Sequence, residues 1–301
     1  MKTLMVRTQT HHLLMLTARR VVTVLFAALL SVAPFHAAFA QTAPALGTAA
    51  NLAVLGGTAV SLTDSTVIGN VGSPVAVTLV RGTVVGTVYP AGDPIVVAAY
   101  NDFFNVYNAV ADMGLYPCTG SLDTAYTDAT LTLTPGVYCN DAAVTFTRTV
   151  LTLDAQNDPN AVWIFKIGTL GTGALTGTSL SVVMTNGGQP CNVYWWTAEA
   201  VTMTTSNFKG DLLAGVAGTF TGGSAIGRVL THAGLTMTGT DVFGCNSLVP
   251  PPPPIDDDKD HCKDRDNDHD KDHHKDHDKN HEKDHDGDHD KDRDKDHGNR
   301  R

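Results

Sequence analysis

Apolar and polar residues alternate over most of the middle of the chain, and the alternating segments repeat at a fixed interval. The segment Thr66-Val67-Ile68-Gly69-Asn70-Val71 recurs 17 residues later as Thr83-Val84-Val85-Gly86-Thr87-Val88. The same step relates Val201-Thr202-Met203-Thr204, Gly218-Thr219-Phe220-Thr221 and Leu235-Thr236-Met237-Thr238. Alternation indicates β-strands with one apolar side, and so short a period is typical of a solenoid with strands about 4.7 Å apart. We therefore predict a mostly β solenoid that presents flat, repetitive surfaces.

One segment departs from the β pattern. Asp93-Pro94 offers an N-cap followed by proline at the first helical position. The pattern predicts an amphipathic helix of about 20 residues, ending near Gly114, that covers one side of the stack. Its aromatic stripe is expected to face inward, a ligand-binding stripe being the alternative. The residues at helical spacing are Val96, Tyr100, Phe103, Phe104, Tyr107, Val110 and Ala111.

The two ends of the chain differ from the middle. Arg19-Arg20, the apolar run 21–30 and Ala38-Phe39-Ala40 have the pattern of a secretory signal peptide, which predicts a mature chain from about Gln41. Residues 249–255 form a stiff polyproline linker, and 256–301 hold 18 Asp and nine His with almost no apolar residue. We expect that tail to be disordered. The predicted segments are thus 1–40, 41–248, 249–255 and 256–301, in a secreted protein with cell-envelope attachment as an alternative.

The cysteines fit an oxidising compartment. Four cysteines of the middle region form an even set that permits three pairings, of which we favour Cys118–Cys139 and Cys191–Cys245. Cys262 is left over in the tail, where its thiol has no predicted role.

Charge and side-chain chemistry narrow the classes of function. Residues 41–255 carry 12 acidic and five basic side chains, so we expect neither a nucleic-acid partner nor, without an apolar run of about 18 residues, a membrane span. Catalysis needs clustered acids and bases, whereas Asp154, Asp158, Asp241 and His232 are scattered along the chain. We predict that the protein is not an enzyme and uses no cofactor.

The tail offers a separate chemistry. Imidazole nitrogen and carboxylate oxygen are ligands suited to zinc or copper, and the candidate ligands there are His269, His273, His274 and His277. Attachment to an anionic surface, or a solvated tether without a ligand, is the alternative use of this segment.

Several separated motifs resemble, in order, those of the microbial ice-binding protein family. They are Leu46-Gly47-Thr48-Ala49, Leu133-Thr134-Pro135-Gly136-Val137-Tyr138, Asp158-Pro159-Asn160-Ala161-Val162-Trp163, Cys191-Asn192-Val193-Tyr194-Trp195 and Gly227-Arg228-Val229-Leu230. The resemblance implies a discontinuous right-handed parallel β-solenoid of triangular cross-section, with a long helix packed alongside. It also implies an ice-binding site on one flat face, with the ice crystal surface as partner.

The Thr-x-Thr strands are the candidate site. Thr202, Thr204, Thr219, Thr221, Thr236 and Thr238 would stack into a grid of methyl and hydroxyl groups, because alternate residues of a strand share a side. Thr145 and Thr147 fit this array less securely, since the separation of Thr145 from Thr202 along the sequence is not a multiple of the 17-residue step. Outward Thr that merely satisfies β-propensity is the alternative explanation. We predict a monomeric ice-binding, antifreeze protein, the alternative being an adhesin or extracellular matrix protein on the same solenoid.

Overall fold

The computed structural model describes residues 41–245, which form 22 β-strands, one α-helix and two short 3-10 helices. Helix α1 spans Pro94–Ala111, and the 3-10 helices span Gly47–Asn51 and Pro190–Asn192. In chain order the strands are β1 (Leu52–Gly56), β2 (Val60–Thr63), β3 (Thr66–Ile68), β4 (Asn70–Gly72), β5 (Val77–Val80), β6 (Thr83–Val85), β7 (Gly120–Ser121), β8 (Ala125–Thr127), β9 (Thr130–Leu133), β10 (Gly136–Asn140), β11 (Val144–Thr147), β12 (Val150–Asp154), β13 (Trp163–Ile167), β14 (Leu175–Thr178), β15 (Ser181–Thr185), β16 (Val193–Thr197), β17 (Val201–Lys209), β18 (Asp211–Ala214), β19 (Gly218–Ile226), β20 (Val229–Thr231), β21 (Leu235–Thr238) and β22 (Asp241–Phe243).

The strands stack into three parallel ladders, one for each side of the coil. The first ladder runs β4-β1-β20-β18-β16-β13-β10-β7, and the second runs β5-β2-β21-β19-β17-β14-β11-β8. The third contains β6, β3, β22, β15, β12 and β9, together with the second halves of β17 and β19, which continue from the second ladder into the third. The predicted mostly β solenoid is confirmed.

The stacking order does not follow the chain order. Strand β1 pairs with β20, with Val54 beside Val229, so the first coil of the chain lies on the last one. After two coils the chain leaves through α1 and resumes at the opposite end of the stack, at β7. This is the discontinuity that the family resemblance implies, and it buries both the first and the last coil against a neighbour.

The interior of the coils is a continuous apolar column. Trp163, Phe165 and Trp195 are fully buried there, and the rings of Phe165 and Trp195 stack with their centroids 4.0 Å apart. Strand β13 is buried on both sides, because Trp163 and Phe165 face the interior while Ile164 packs in the cluster that includes α1. This explains why its sequence lacks alternation.

Helix α1 packs along the first ladder. The Asp93 carboxylate accepts the Ile95 N–H at 2.8 Å, as expected of an N-cap, and Val96, Phe103 and Val110 are buried. Tyr100 and Tyr107 are half-buried, whereas Phe104 is 43% exposed. The inward aromatic stripe was therefore wrong for Phe104, because a helix buries a narrower arc than the periodic pattern covers. No described helix has the length and hydropathy to cross a membrane.

The helix ends earlier than its pattern suggested, after 18 residues at Ala111. The backbone becomes extended at Asp112 (φ -63°, ψ 120°), and Lys166, fully buried on β13, caps this end. Its Nζ donates to the carbonyl oxygens of Ala111 and Tyr116 at 3.1 Å, so it satisfies carbonyl groups that the helix end leaves free. Burial lowers the pKa of Lys166.

Both favoured disulfides are present. Cys118 bonds to Cys139, and Cys191 bonds to Cys245, which ties the last described coil to the loop before β16. The predicted signal peptide, linker and tail lie outside the described residues, as does Cys262.

One buried ion pair joins two successive coils of the first ladder. Asp211 is fully buried, with one carboxylate oxygen 2.7 Å from Arg228 Nη1 and the other accepting the Arg228 N–H at 2.8 Å. Arg228 Nε donates to the Ala50 carbonyl at 3.0 Å, which also connects the first coil of the chain. Burial raises the pKa of Asp211 to about 6, against the opposing effect of Arg228.

Replacing Asp211 with alanine should destabilise the fold strongly. The substitution removes the carboxylate from a buried ion pair, and such changes cost about 3–5 kcal/mol. Denaturant unfolding of the variant measures the loss. Asp241→Ala, at an exposed aspartate of β22, is the control and should change the free energy of unfolding by less than about 0.5 kcal/mol. Equal stabilities of the two variants would contradict the role of the pair.

Candidate functional site

The outward surface of the second ladder is a two-column array of threonines, which we call the Thr face. Its rows are the eight strands of the ladder, and each strand contributes two outward residues. From β5 to β8, the first column is Thr78, Ser61, Thr236, Thr219, Thr202, Thr176, Thr145 and Ala125, and the second is Val80, Thr63, Thr238, Thr221, Thr204, Thr178, Thr147 and Thr127. None of these positions carries a charged side chain.

The six threonines chosen from the sequence lie together in the middle of this array. Thr202, Thr219 and Thr236 are consecutive members of the first column, and their partners two residues on form the second. The residues that alternate with these threonines along the strands are buried and point inward. They include Val201, Met203, Phe220 and Met237. The predicted geometry of the grid is present, on a surface supported directly by the core.

Four threonines that form complete pairs on two further strands, β11 and β14, were missed as full members. Thr176 and Thr178 pair with Thr202 and Thr204, and Thr145 and Thr147 pair in turn with Thr176 and Thr178. The coils that separate them are longer than 17 residues because they contain loops such as 186–192, so the fixed step failed there. The pattern apolar-Thr-x-Thr, without any step, would have found all of them.

The hydroxyl groups of the Thr face have no intramolecular partner among the described residues at any of the ten Thr positions from β11 to β21. Buried hydroxyls behave differently, since Thr197 donates to the Glu199 carbonyl at 2.8 Å and Thr231 to the Ala233 carbonyl at 3.0 Å. The Thr face therefore offers a regular set of hydroxyls and methyls to the solvent.

A repeated turn fixes one edge of the Thr face. In four coils a buried Ser or Thr stands two residues after the second column and donates its hydroxyl to that column's carbonyl. The bonds are Ser65 to Thr63 at 2.9 Å, Thr149 to Thr147 at 3.2 Å, Ser206 to Thr204 at 3.0 Å and Thr240 to Thr238 at 3.3 Å. These hydroxyls hold the backbone of the outer column in one conformation, which keeps its rows aligned.

The opposite edge is lined by small residues. In the seven rows from β5 to β11, the residue two positions before the first column is Ala76, Ala59, Gly234, Ala217, Ala200, Ala174 and Ala143, whereas in the outermost row, β8, it is the exposed Asp123. Backbone bonds continue across this edge, as from Val201 N–H to the Ala217 carbonyl at 2.9 Å. Glu199 lies beyond Ala200, and its carboxylate accepts the Gly173 N–H at 3.1 Å.

The scattered polar candidates do not form a second site. Asp154 accepts the Gln156 N–H at 2.9 Å, which lowers its pKa, and Asp158 accepts the Asn160 N–H at 2.9 Å. Both carboxylates thus stabilise turns. Asp241 is exposed on the third ladder, far along the chain from either. Within residues 41–245 no three His, Cys, Asp or Glu side chains come together as a metal site would require.

His232 lies exposed beside α1. The Tyr100 hydroxyl is 3.1 Å from His232 Nδ1 and also 3.1 Å from the His232 carbonyl oxygen, and the Phe104 ring is 5.4 Å from the imidazole. These contacts attach the helix to the last coil. The tail histidines His269, His273, His274 and His277 lie outside the described residues, so their metal binding stays a prediction.

Comparison with known proteins identifies the family. The Ice-binding-like family model matches residues 42–243, the whole solenoid. The chain belongs to this family. An ice-binding protein of Nostoc sp. (strain HG1) is 34% identical over 207 residues, covering 65% of this chain and 72% of that protein. An ice-binding protein of Flavobacterium frigoris (strain PS1) is 28% identical, over 64% of this chain and 73% of that protein.

Solved structures of the family have the same fold. An ice-binding protein from an Antarctic biological consortium superposes with a TM-score of 0.61 at 30% identity, covering 67% of this chain and 92% of that one. A domain of ice-binding protein 1 from Shewanella frigidimarina superposes with a TM-score of 0.60 at 26% identity, covering 69% of this chain and all of that one. The matched relatives do not support the adhesin or matrix-protein alternative.

Proposed function

We propose that this protein binds ice through the Thr face and acts by adsorption, without a chemical reaction. The observation that carries the proposal is the unbroken run of Thr pairs on five adjacent strands, β11, β14, β17, β19 and β21. Ice is a periodic solid, and this is the surface of the described chain on which one side-chain type repeats in two directions.

The spacing of the array follows from β geometry. Neighbouring strands are about 4.7–4.9 Å apart, and alternate residues on one strand are about 6.6–6.8 Å apart. A Thr at each point presents one methyl and one hydroxyl, and the hydroxyls have no competing partner within residues 41–245. An array of this kind favours an ordered water layer, because each hydroxyl can bond to water while each methyl limits how that water is oriented.

Family membership supports the same conclusion, since the matched relatives are themselves named ice-binding proteins. The signal-peptide pattern of residues 1–40 and the two disulfides of the solenoid favour action outside the cell. An extracellular protein meets ice directly. We therefore propose that the protein is exported and restrains the growth or recrystallisation of external ice.

A bulky residue in the centre of the Thr face should abolish activity. Thr221→Tyr places a ring between neighbouring rows and lifts the ice surface away from them, while the exposed position lets the core remain unchanged. Thermal hysteresis and the shape of single ice crystals measure the effect. Ser224→Tyr is the matched control, since it lies on the same strand but faces outward on the third ladder. Activity in Thr221→Tyr equal to that of Ser224→Tyr would exclude the face.

The array should extend beyond the six threonines that follow the 17-residue step. Thr178→Tyr, on β14, is expected to reduce thermal hysteresis as Thr221→Tyr does, because Thr178 is in register with Thr204. The melting temperature should stay near that of the wild type. Full activity in this variant would limit the ice contact to β17, β19 and β21.

Ice shaping should not need the C-terminal segment. Every row of the Thr face and its supporting core lies within residues 41–245. A chain lacking 250–301 is expected to keep the thermal hysteresis of the full protein at equal molar concentration. Loss of activity in a truncated protein whose circular dichroism matches the full chain would show that the solenoid alone is insufficient.

A further inference from the structure

A third column of residues borders the Thr face at the corner between the second and third ladders. In each coil one residue in the left-handed backbone region directly follows the second column. These residues are Arg81 (φ 53°), Asp64 (φ 48°), Gly239 (φ 60°), Gly222 (φ 66°), Thr205 (φ 46°), Ser179 (φ 52°), Arg148 (φ 49°) and Asp128 (φ 51°), in order along the stack. We call them the corner column.

The corner column continues the regular spacing of the Thr face. The Ser179 N–H donates to the Thr204 carbonyl at 2.9 Å, and the Gly239 N–H donates to the Thr63 carbonyl at 2.9 Å. At the two ends, the Asp64 N–H donates to the Val80 carbonyl and the Asp128 N–H to the Thr147 carbonyl, each at 3.0 Å. Each member therefore stacks in line with its neighbours, beside its own row.

Charge is confined to the ends of this column. Arg81 Nη2 lies 2.5 Å from Asp64 Oδ2, and Arg148 Nε lies 2.5 Å from Asp128 Oδ1, with all four side chains exposed by 46–70%. The four coils between the pairs have Gly239, Gly222, Thr205 and Ser179 instead. The hydrogen bond from each arginine lowers the pKa of its aspartate, so all four groups are charged at neutral pH.

We propose that the two ion pairs set the ends of the ice contact, which is thereby confined to the rows between them. This inference rests on the proposed function of the Thr face. An exposed ion holds its own water strongly, and removing or reorganising that water is unfavourable. An ice surface that approached the outermost rows would have to disturb the hydration of these four side chains.

The composition of the Thr face also changes in three of the four rows that carry these charges. All eight outward positions of β14, β17, β19 and β21 are Thr, whereas β2, β5 and β8 contribute Ser61, Val80 and Ala125. At the opposite edge, small residues line the inner rows and the outer rows on β5, β2 and β11 alike, and the last row, on β8, has the exposed Asp123. The row on β11 is an outer row that keeps both threonines, and it differs from the inner rows in the charged residue of its corner column. The charges of the corner column therefore separate outer from inner coils even there.

Gly222 allows a test in which charge is the variable. Its Cβ would meet nothing closer than Thr205 Cγ2 at 3.5 Å, and Asn and Asp are the side chains that best tolerate its left-handed backbone. Gly222→Asp should lose thermal hysteresis to the level of Thr221→Tyr, whereas Gly222→Asn, of the same shape, should keep most of it. Melting temperatures of both variants check the fold. Equal activity of the two variants would overturn the proposal.

Gly239→Asp and Gly239→Asn repeat this comparison independently in the neighbouring coil, because a Cβ at Gly239 would have no other atom within 4 Å.

The reverse change removes charge at one end of the corner column. The double variant Asp128→Asn, Arg148→Asn has no charge beside Thr147 and should raise thermal hysteresis above that of the wild type. A fall, or no change, in a folded double variant would contradict the inference. If Thr221→Tyr is fully active, the Thr face is not the ice-binding surface and the proposed function fails. If only the present inference fails, Thr221→Tyr remains inactive, so the two failures can be distinguished.

Discussion

Register between stacked coils is the constraint on which the rest of this structure depends. Parallel backbone ladders fix the distance between strands, and buried side chains such as Phe220 and Met237 fix which residues turn inward. A slip of one residue would send the threonines into the core. The two outward columns are therefore as regular as the backbone itself, and the Thr face needs no arrangement of flexible loops.

The corner turns give that regular surface a sharp edge. Each second-column residue is followed by a left-handed residue, and in four coils a buried hydroxyl, as in Ser206, bonds back to the column's carbonyl. A left-handed backbone costs about 1–2 kcal/mol for most side chains. The repetition of this costly conformation at one corner indicates that it is needed for the sharp bend there. The edge of the Thr face is thus defined by backbone geometry and by hydrogen bonds within the molecule.

Much of the fold could be predicted from the sequence, because its determinants are local. The Thr-x-Thr strands, the Asp93 N-cap and the disulfide set each depend on residues close in sequence or on simple counting. Other features depend on the stacking order. The buried pair of Asp211 and Arg228 joins two coils, and the membership of Thr145 in the face depends on loop lengths that a fixed step cannot supply.

The sequence was enough to locate the candidate site but not to define where it ends. The six central threonines were found by their spacing, whereas the corner column could not be, because the backbone conformation of Ser179 or Asp128 is visible only in the structure. Likewise, the exposed position of Phe104 follows from how α1 lies on the first ladder, which periodicity does not specify.

Direct partition into growing ice tests the central claim most simply. A dilute solution of the purified wild-type protein is frozen slowly from one side with stirring, and the protein concentrations in the ice and the remaining liquid are compared. A protein that adsorbs through the Thr face is engulfed, so it should be enriched in the ice relative to an unrelated control protein. Exclusion into the liquid to the same degree as that control would contradict the account.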